Sequence, residues 1–301
     1  MDTGKLGVWY FFDGLPAAAA AEAAQRIESL GYGTLWIPET VGRHPFVSAS
    51  WLLANTSKLN LATGIANIYH REPGVTMAAQ KTLAEQSGGR FLLGLGVSHK
   101  PLVEGVRGLK YGPPVATMRK YLEGMVAAPF SGPAPAEDPP TVIAALGPKM
   151  LELARENSAG AHPYFSSPDH TAMAREILGP DRMLCVEQKV ILEENPGKAR
   201  ALARPVAGMY LGLPNYRNNW LRMGFEASDL EDGGSDKFVD TTFAWGSVEK
   251  IRSRIQEHFD AGASHVCIQP VNPSGQMGAL HWEALEALSE GVDPGSAGDT
   301  A

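Results

Sequence analysis

Short, nearly continuous apolar runs alternate along the chain with longer stretches whose apolar positions recur at helical spacing. Residues 6–12 (LGVWYFF) form a concentrated β-forming run. Residues 16–30 then carry Ala20, Ala23 or Ala24, Ile27 and Leu30 along one helical face, and Gly31 stops that helix. Residues 34–39 (TLWIPE) predict a second strand, 45–53 a helix, and 59–67 (LNLATGIAN) a third strand. A helix over 75–87 leaves through Gly88 and Gly89, and 91–98 (FLLGLGVS) returns the chain to a strand. The alternation continues with a helix over 113–126, a strand over 141–146, a helix from Pro148 to Asn157, a short strand over 159–165, a helix over 169–178 and a strand over 182–192. An alanine-rich helix follows Pro196, and residues 213–240 are less regular and read as short helices in an insertion or lid. Val248, Ile251, Ile255 and Phe259 recur at helical spacing before a last strand over 265–269.

Strands that are apolar along their whole length, with helices between them, predict a parallel sheet covered on both faces. The runs near residues 6, 34, 59, 91, 141, 159, 182 and 265 supply the strands of one TIM (β/α)8 barrel, an α/β fold, so residues 1–301 read as a single domain. The strongest break, SGPAPAEDPP over 131–140, fits a surface crossover better than a linker, because the same alternation resumes at residue 141.

Composition narrows the function classes. With 26 Lys and Arg against 33 Asp and Glu, the net charge of -7 disfavours a nucleic-acid or anionic-membrane surface while leaving room for a local phosphate pocket. The two cysteines, Cys185 and Cys267, are too few for a disulfide framework and sit in apolar β-forming runs, where a buried thiol is expected. The chain opens on no signal-like segment, and no apolar stretch approaches the roughly 20 residues of a membrane helix, so a cytoplasmic protein is expected. The histidines are too scattered for a metal site, and there is no HExxH, GxSxG, P-loop or GxGxxG pattern.

In a barrel of this kind, chemistry gathers just beyond the carboxyl ends of the strands. That rule selects Glu39 and His44 after the second strand, Asn67 and His70 after the third, and Ser98 and His99 after the fourth. Each also fits a capping or packing role; their convergence on one mouth makes them candidates. Gly147, Pro148, Lys149 and Met150 follow the fifth strand and open a helix whose free N–H groups suit a phosphate, while Gly160, Ala161, His162, Pro163 and Tyr164 accompany the sixth. Tyr216, Arg217, Asn218, Asn219 and Trp220 read either as a polar and aromatic binding surface or as a helix with one buried side.

The blocks GPKMLELAREN from Gly147, GAHPYF from Gly160, LPNYRNNWLRMGF from Leu213 and the GGSDKFVD and AWG run from Gly233 to Gly246 occur in order. Together they resemble the bacterial luciferase-like superfamily, and within it the actinobacterial coenzyme F420-dependent oxidoreductases, over residues 6–288. The resemblance implies a TIM barrel with a deazaflavin or flavin ring in its mouth. Ser98 and the backbone of Gly147 to Lys149 then look like phosphate or tail contacts, Gly160 to Pro163 hold another part of the tail, and His99 and His162 either orient the cofactor or satisfy a loop backbone. Gly64 and Ile65, with Asn67 beyond them, match the region that often carries a non-prolyl cis peptide behind the ring. Hydride transfer between coenzyme F420 and a small or medium-sized organic substrate is the implied reaction, with His44 for proton transfer or oxyanion stabilisation and Glu39 as a ring-environment residue or acid/base partner. The histidine, tryptophan and glutamate set of F420 alcohol and sugar dehydrogenases is incomplete here, since Phe46 follows His44 and Trp51 lies farther along. An FMN-dependent monooxygenase and a noncatalytic F420-binding protein are the alternatives, and a homodimer is the family's usual assembly.

Overall fold

The computed structural model describes residues 1–275 and 278–289; the remainder of the expected domain lies outside the described residues. In chain order the strands are β1 (Leu6–Trp9), β2 (Thr34–Ile37), β3 (Asn60–Thr63), β4 (Ala66–Asn67), β5 (Phe91–Gly96), β6 (Thr141–Ile143), β7 (Gly160–Ala161), β8 (Met183–Leu192), β9 (Phe243–Gly246) and β10 (His265–Pro270). β1, β2, β3, β5, β6, β7, β8 and β10 pair in that order and close where β10 meets β1, with every pairing parallel. This is a closed eight-stranded TIM barrel, and each strand of its ring coincides with one of the predicted apolar runs.

The helices between the strands are α1 (Ala17–Ser29), α2 (Pro45–Ala54), α3 (Pro73–Ser87), α4 (Pro114–Ala127), α5 (Pro148–Asn157), α6 (Pro168–Leu178), α7 (Pro196–Leu211), α8 (Pro214–Arg222), α9 (Asp236–Thr242), α10 (Val248–Asp260) and α11 (Trp282–Ser289). Every helix from α2 to α8 begins on a proline, whose missing N–H costs nothing in the first turn. Seven of the chain's 22 prolines therefore start helices rather than breaking the barrel. Gly88 ends α3 in the left-handed conformation, φ 64°, as its place after the periodic run predicts.

The structure departs from the sequence pattern in three places. The third strand is not continuous over 59–67: it splits into β3 and β4 around a cis Gly64–Ile65 peptide. Leu61 and Ala62 pair with Phe91 and Leu92, whereas Ala66 and Asn67 pair with Leu95 and Gly96, so the third strand carries one residue more than β5 across the same span. The sixth strand shrinks from 159–165 to two residues, since Pro163 has no N–H to continue the ladder. β9, which the pattern did not single out, pairs with the upper half of β8 outside the ring.

Inward and outward positions alternate along each strand. Outward residues such as Val8, Leu35, Leu61 and Leu93 join the core beneath the helices, while Trp9, Trp36, Ala62, Leu92, Val142, Cys185 and Cys267 fill the lumen. Both cysteines are free and fully buried, as expected from their runs. No helix among the described residues is long and apolar enough to cross a membrane.

At the end of the barrel opposite the mouth, the Glu28 carboxylate on α1 accepts the backbone N–H groups of Ser57, Lys58 and Leu59 at 2.8, 2.5 and 2.8 Å. Burial alone raises its pKa, but these three bonds and nearby Arg90 outweigh it and hold the group below its usual 4.5. Glu28→Ala should lower unfolding free energy by about 1–3 kcal/mol in urea titrations. The deficit should be full above the unfolded pKa and shrink as pH falls through the lower native value.

Candidate active site

The carboxyl ends of the strands enclose a cavity of about 680 Å³. Its floor is built by β1, β3 and β7. The Trp9 indole donates Nε1–H to the Gly64 carbonyl at 2.9 Å, and the Ile65 side chain lies against Gly96, where any Cβ would sit 2.5 Å from Ile65 Cδ1. Gly64 is equally constrained, because a Cβ there would meet Trp9 Nε1 at 2.5 Å and His162 Nε2 at 3.1 Å. His162 stacks flat on Trp36, with centroids 4.2 Å apart, and its Nδ1–H donates to the Cys185 carbonyl at 2.8 Å. That bond fixes the tautomer and leaves Nε2 as a buried lone-pair nitrogen without a partner. Burial pushes the His162 pKa down to about 4, so the ring is neutral near pH 7.

One wall follows β5. Ser98 holds a left-handed backbone, φ 54°, that non-glycine residues rarely adopt. His99 packs against Tyr216 of α8 and bonds to Asn215; burial lowers its pKa, and the Asn215 bond opposes that shift in part. A π-helix over Pro101–Val106 and the stacked pair Tyr69 and Tyr111 complete this side.

The opposite corner is cationic. Gly147 caps α5 with no side chain of its own, Pro148 and Lys149 start the helix, and all three line the cavity. The Arg222 guanidinium of α8 sits 3.7 Å from where a Gly147 Cβ would be, oriented by Asn219 Oδ1 at 3.1 Å. A helix N-terminus, a lysine and an arginine thus converge where an anion would bind.

The acid/base candidates look different in three dimensions. Glu39 reaches the cavity wall, but its carboxylate accepts the Asn67 N–H at 2.7 Å, His70 Nδ1–H at 2.9 Å and both terminal nitrogens of Arg71. Both of its oxygens are therefore held by donors from residues 67–71. His44 lies outside the cavity lining and accepts from Arg71 Nε at 3.3 Å; burial first, then Arg71, lowers its pKa. Asn67 faces Glu39 and His70. Of the group after the sixth strand, His162 and Tyr164 reach the cavity: Gly160 and Ala161 are strand residues, and the Pro163 carbonyl accepts the Glu187 N–H. On α8, Tyr216 and Asn218 line the cavity, whereas Arg217 pairs with Glu231 and Trp220 is buried in an aromatic cluster with Phe165 and Phe238.

The sequence profile of the luciferase-like monooxygenase family matches residues 5–265. The chain belongs to that family. Among curated relatives of this luciferase-like enzyme, a 5,10-methylenetetrahydromethanopterin reductase of Archaeoglobus fulgidus is 31% identical, over 82% of the chain and 88% of the reductase. A Mycobacterium tuberculosis protein provisionally named a coenzyme F420-dependent oxidoreductase is 25% identical over 88% of this chain and 93% of its own. Solved structures share the fold. An F420-dependent secondary alcohol dehydrogenase bound to an F420–acetone adduct superposes with TM-score 0.76 at 15% identity, covering 98% and 99% of the two chains. The FMN complex of a Pseudomonas putida diketocamphane monooxygenase reaches 0.69 at 18%, covering 98% of each chain.

Sequence reasoning missed Trp9, Arg222 and Tyr210, all of which line the luciferase-like cavity. Apolar periodicity assigns aromatic residues to the core, and nothing local to Arg222 announces that α8 folds back onto Gly147. Gly64→Ala should destabilise the protein by about 1–3 kcal/mol through overpacking against Trp9 and His162, read as a lower midpoint in chemical denaturation. An unchanged midpoint would contradict the tight floor.

Proposed function

We propose that this enzyme is an F420-dependent oxidoreductase that transfers hydride between the deazaflavin and an organic substrate held in the same cavity. The names of its curated relatives support this reading, and three features of the cavity fit the cofactor. Gly64 and Gly96 let Trp9, His162 and Ile65 close in on the backbone, so the floor carries no side chain from either position. His162 Nε2 is a buried acceptor without a partner, suited to an N–H donor of a flat heterocycle. The corner formed by Gly147, Lys149 and Arg222 suits a phosphate.

The observation that favours F420 over FMN lies beyond that corner. Across Pro114, Val115 and Lys149 the cavity adjoins an open groove lined by Arg119, Lys120, Lys149 and Glu123; Arg119 also pairs with Glu156 at 3.4 Å, so Lys149 and Lys120 supply most of the cationic character of this path. FMN ends at its phosphate, whereas the F420 tail continues past it into carboxylate-bearing units. When bound, F420 supplies the hydride-carrying carbon. The protein's residues orient the ring, hold the tail and keep water off the reacting face with an apolar lining. Glu39 and Arg71 act as a fixed charge pair at the rim, with His44 one step removed through Arg71.

Anaerobic titration of the apo-protein with F420 and FMN tests the assignment. F420 should bind selectively with micromolar affinity. Charge reversal of Arg119 and Lys120 should weaken F420 by about three- to tenfold, less at high salt, and leave FMN unaffected. Selective FMN binding with oxygen-dependent product formation would instead favour the monooxygenase reading, and F420 binding without turnover of any donor or acceptor the noncatalytic one.

The homodimer is proposed on the exposed apolar side chains around α2 and the start of α3: Val41, Val47, Trp51 and Val75 are 64, 68, 46 and 57% exposed. Val47→Glu should convert a dimer to a monomer in sedimentation velocity; a wild-type monomer at micromolar concentration would end this part of the proposal.

A further inference from the structure

Two charged side chains lie inside the barrel with no exposure at all. Glu187 and Lys189 alternate inward on β8, with Lys189 Nζ 3.1 and 3.2 Å from the two carboxylate oxygens. The carboxylate also accepts the Phe165 N–H at 2.8 Å. Burying such a pair costs desolvation that a well-packed apolar pair would avoid, so its presence asks for a further role.

The remaining contacts of Lys189 lead toward the cavity. Its Nζ donates to Gln269 Oε1 at 3.1 Å and sits 3.8 Å from the centroid of the Tyr164 ring. Gln269 Oε1 also accepts the Tyr164 hydroxyl at 2.8 Å, and the Tyr164 and Tyr210 oxygens are 2.8 Å apart. Both tyrosines line the cavity.

Counting hydrogens makes this chain directional. Gln269 Oε1 has two lone pairs, filled by Lys189 and Tyr164. Tyr164 has then spent its only hydrogen and must accept from Tyr210. In this arrangement Tyr210, a residue of the cavity lining, keeps a lone pair that can accept a hydrogen from an alcohol. If Tyr164 turns its hydrogen to Tyr210, Tyr210 is freed to donate to a carbonyl. The exchange gives up one bond at Gln269 and gains one to the ligand, and Lys189 remains to satisfy Gln269.

We infer that the Tyr210 hydroxyl binds the oxygen of an alcohol or carbonyl substrate, with Tyr164 as its switch and Gln269, held by the Lys189 and Glu187 pair, as the fixed end of the chain. Tyr210 is a specificity residue, and Lys189 and Glu187 are positioning residues. The inference rests on the reading that substrate and ring share this cavity, and it narrows the substrate to a molecule whose reacting carbon carries oxygen.

The test uses 4-nitrophenol, an oxygen probe whose absorption reports hydrogen bonding, titrated into the full chain with and without F420. Saturable binding to the wild type is expected, weakened about tenfold by Tyr210→Phe, which keeps the ring contacts. The paired change Glu187→Gln with Lys189→Met should weaken the probe severalfold while F420 affinity and melting temperature stay near wild type. Absence of saturable binding to the wild type, or equal binding to Tyr210→Phe, overturns the inference. A paired variant with a lower melting temperature but full probe affinity overturns the positioning role, because the pair would then serve stability alone. Failure of F420 to bind wild-type protein that still holds the probe through Tyr210 would refute the cofactor assignment and leave this site standing.

Discussion

The flat contact between Trp36 and His162 is the constraint on which the rest of the mouth depends. A closed eight-stranded parallel barrel has a lumen that side chains must fill, and here an indole and an imidazole stacked at 4.2 Å do much of that filling. Neither ring is free to turn. Trp36 Nε1 donates to His265 Nε2, His265 Nδ1–H donates to the Gly4 carbonyl, and His162 Nδ1–H donates to the Cys185 carbonyl. These bonds tie β2 to β10 and the exit of β7 to β8 across the interior. With the layer below locked, Trp9 and Gly64 can be packed tightly above it, and the cavity floor inherits that rigidity.

Much of the fold is legible in the sequence because it is written in local signals. Each ring strand is a compact apolar run, and the prolines that open α2 to α8 mark where each helix begins. The site is less legible for a physical reason. Ser98, His99, Gly147, Lys149 and His162 could be placed because they directly follow strands, and in a barrel that position implies the mouth. Tyr210 and Arg222 lie on helices, where spacing reports which face is buried and says nothing about what it is buried against. The pairing of β4 with β5 one residue out of step with β3 depends on long-range contacts that no window over 59–67 contains. Glu39 shows the opposite limit: its position was readable, but the Arg71 and His70 partners that clamp its carboxylate come from a separate loop.

Charge around the cavity is distributed unevenly, and burial decides how. His162, His170 and His265 are each pushed down to about 4 by desolvation, so these buried imidazoles contribute no charge near neutral pH. The carboxylates beneath and beside the cavity are matched, Glu187 by Lys189 and Glu39 by Arg71, and a matched pair projects little field. Arg222 and Lys149 have no carboxylate partner among the ion pairs of the described residues, and they flank the positive end of α5. The net field in the mouth is therefore positive at one corner, although the whole chain carries a charge of -7. Because like charge elsewhere on the surface repels anions in general, that corner can select an anionic ligand only at close range, where focusing by low-dielectric walls outweighs the bulk charge. An extended anion whose far end follows Lys149 toward Lys120 gains from this field along its length, whereas a compact one gains at the corner alone.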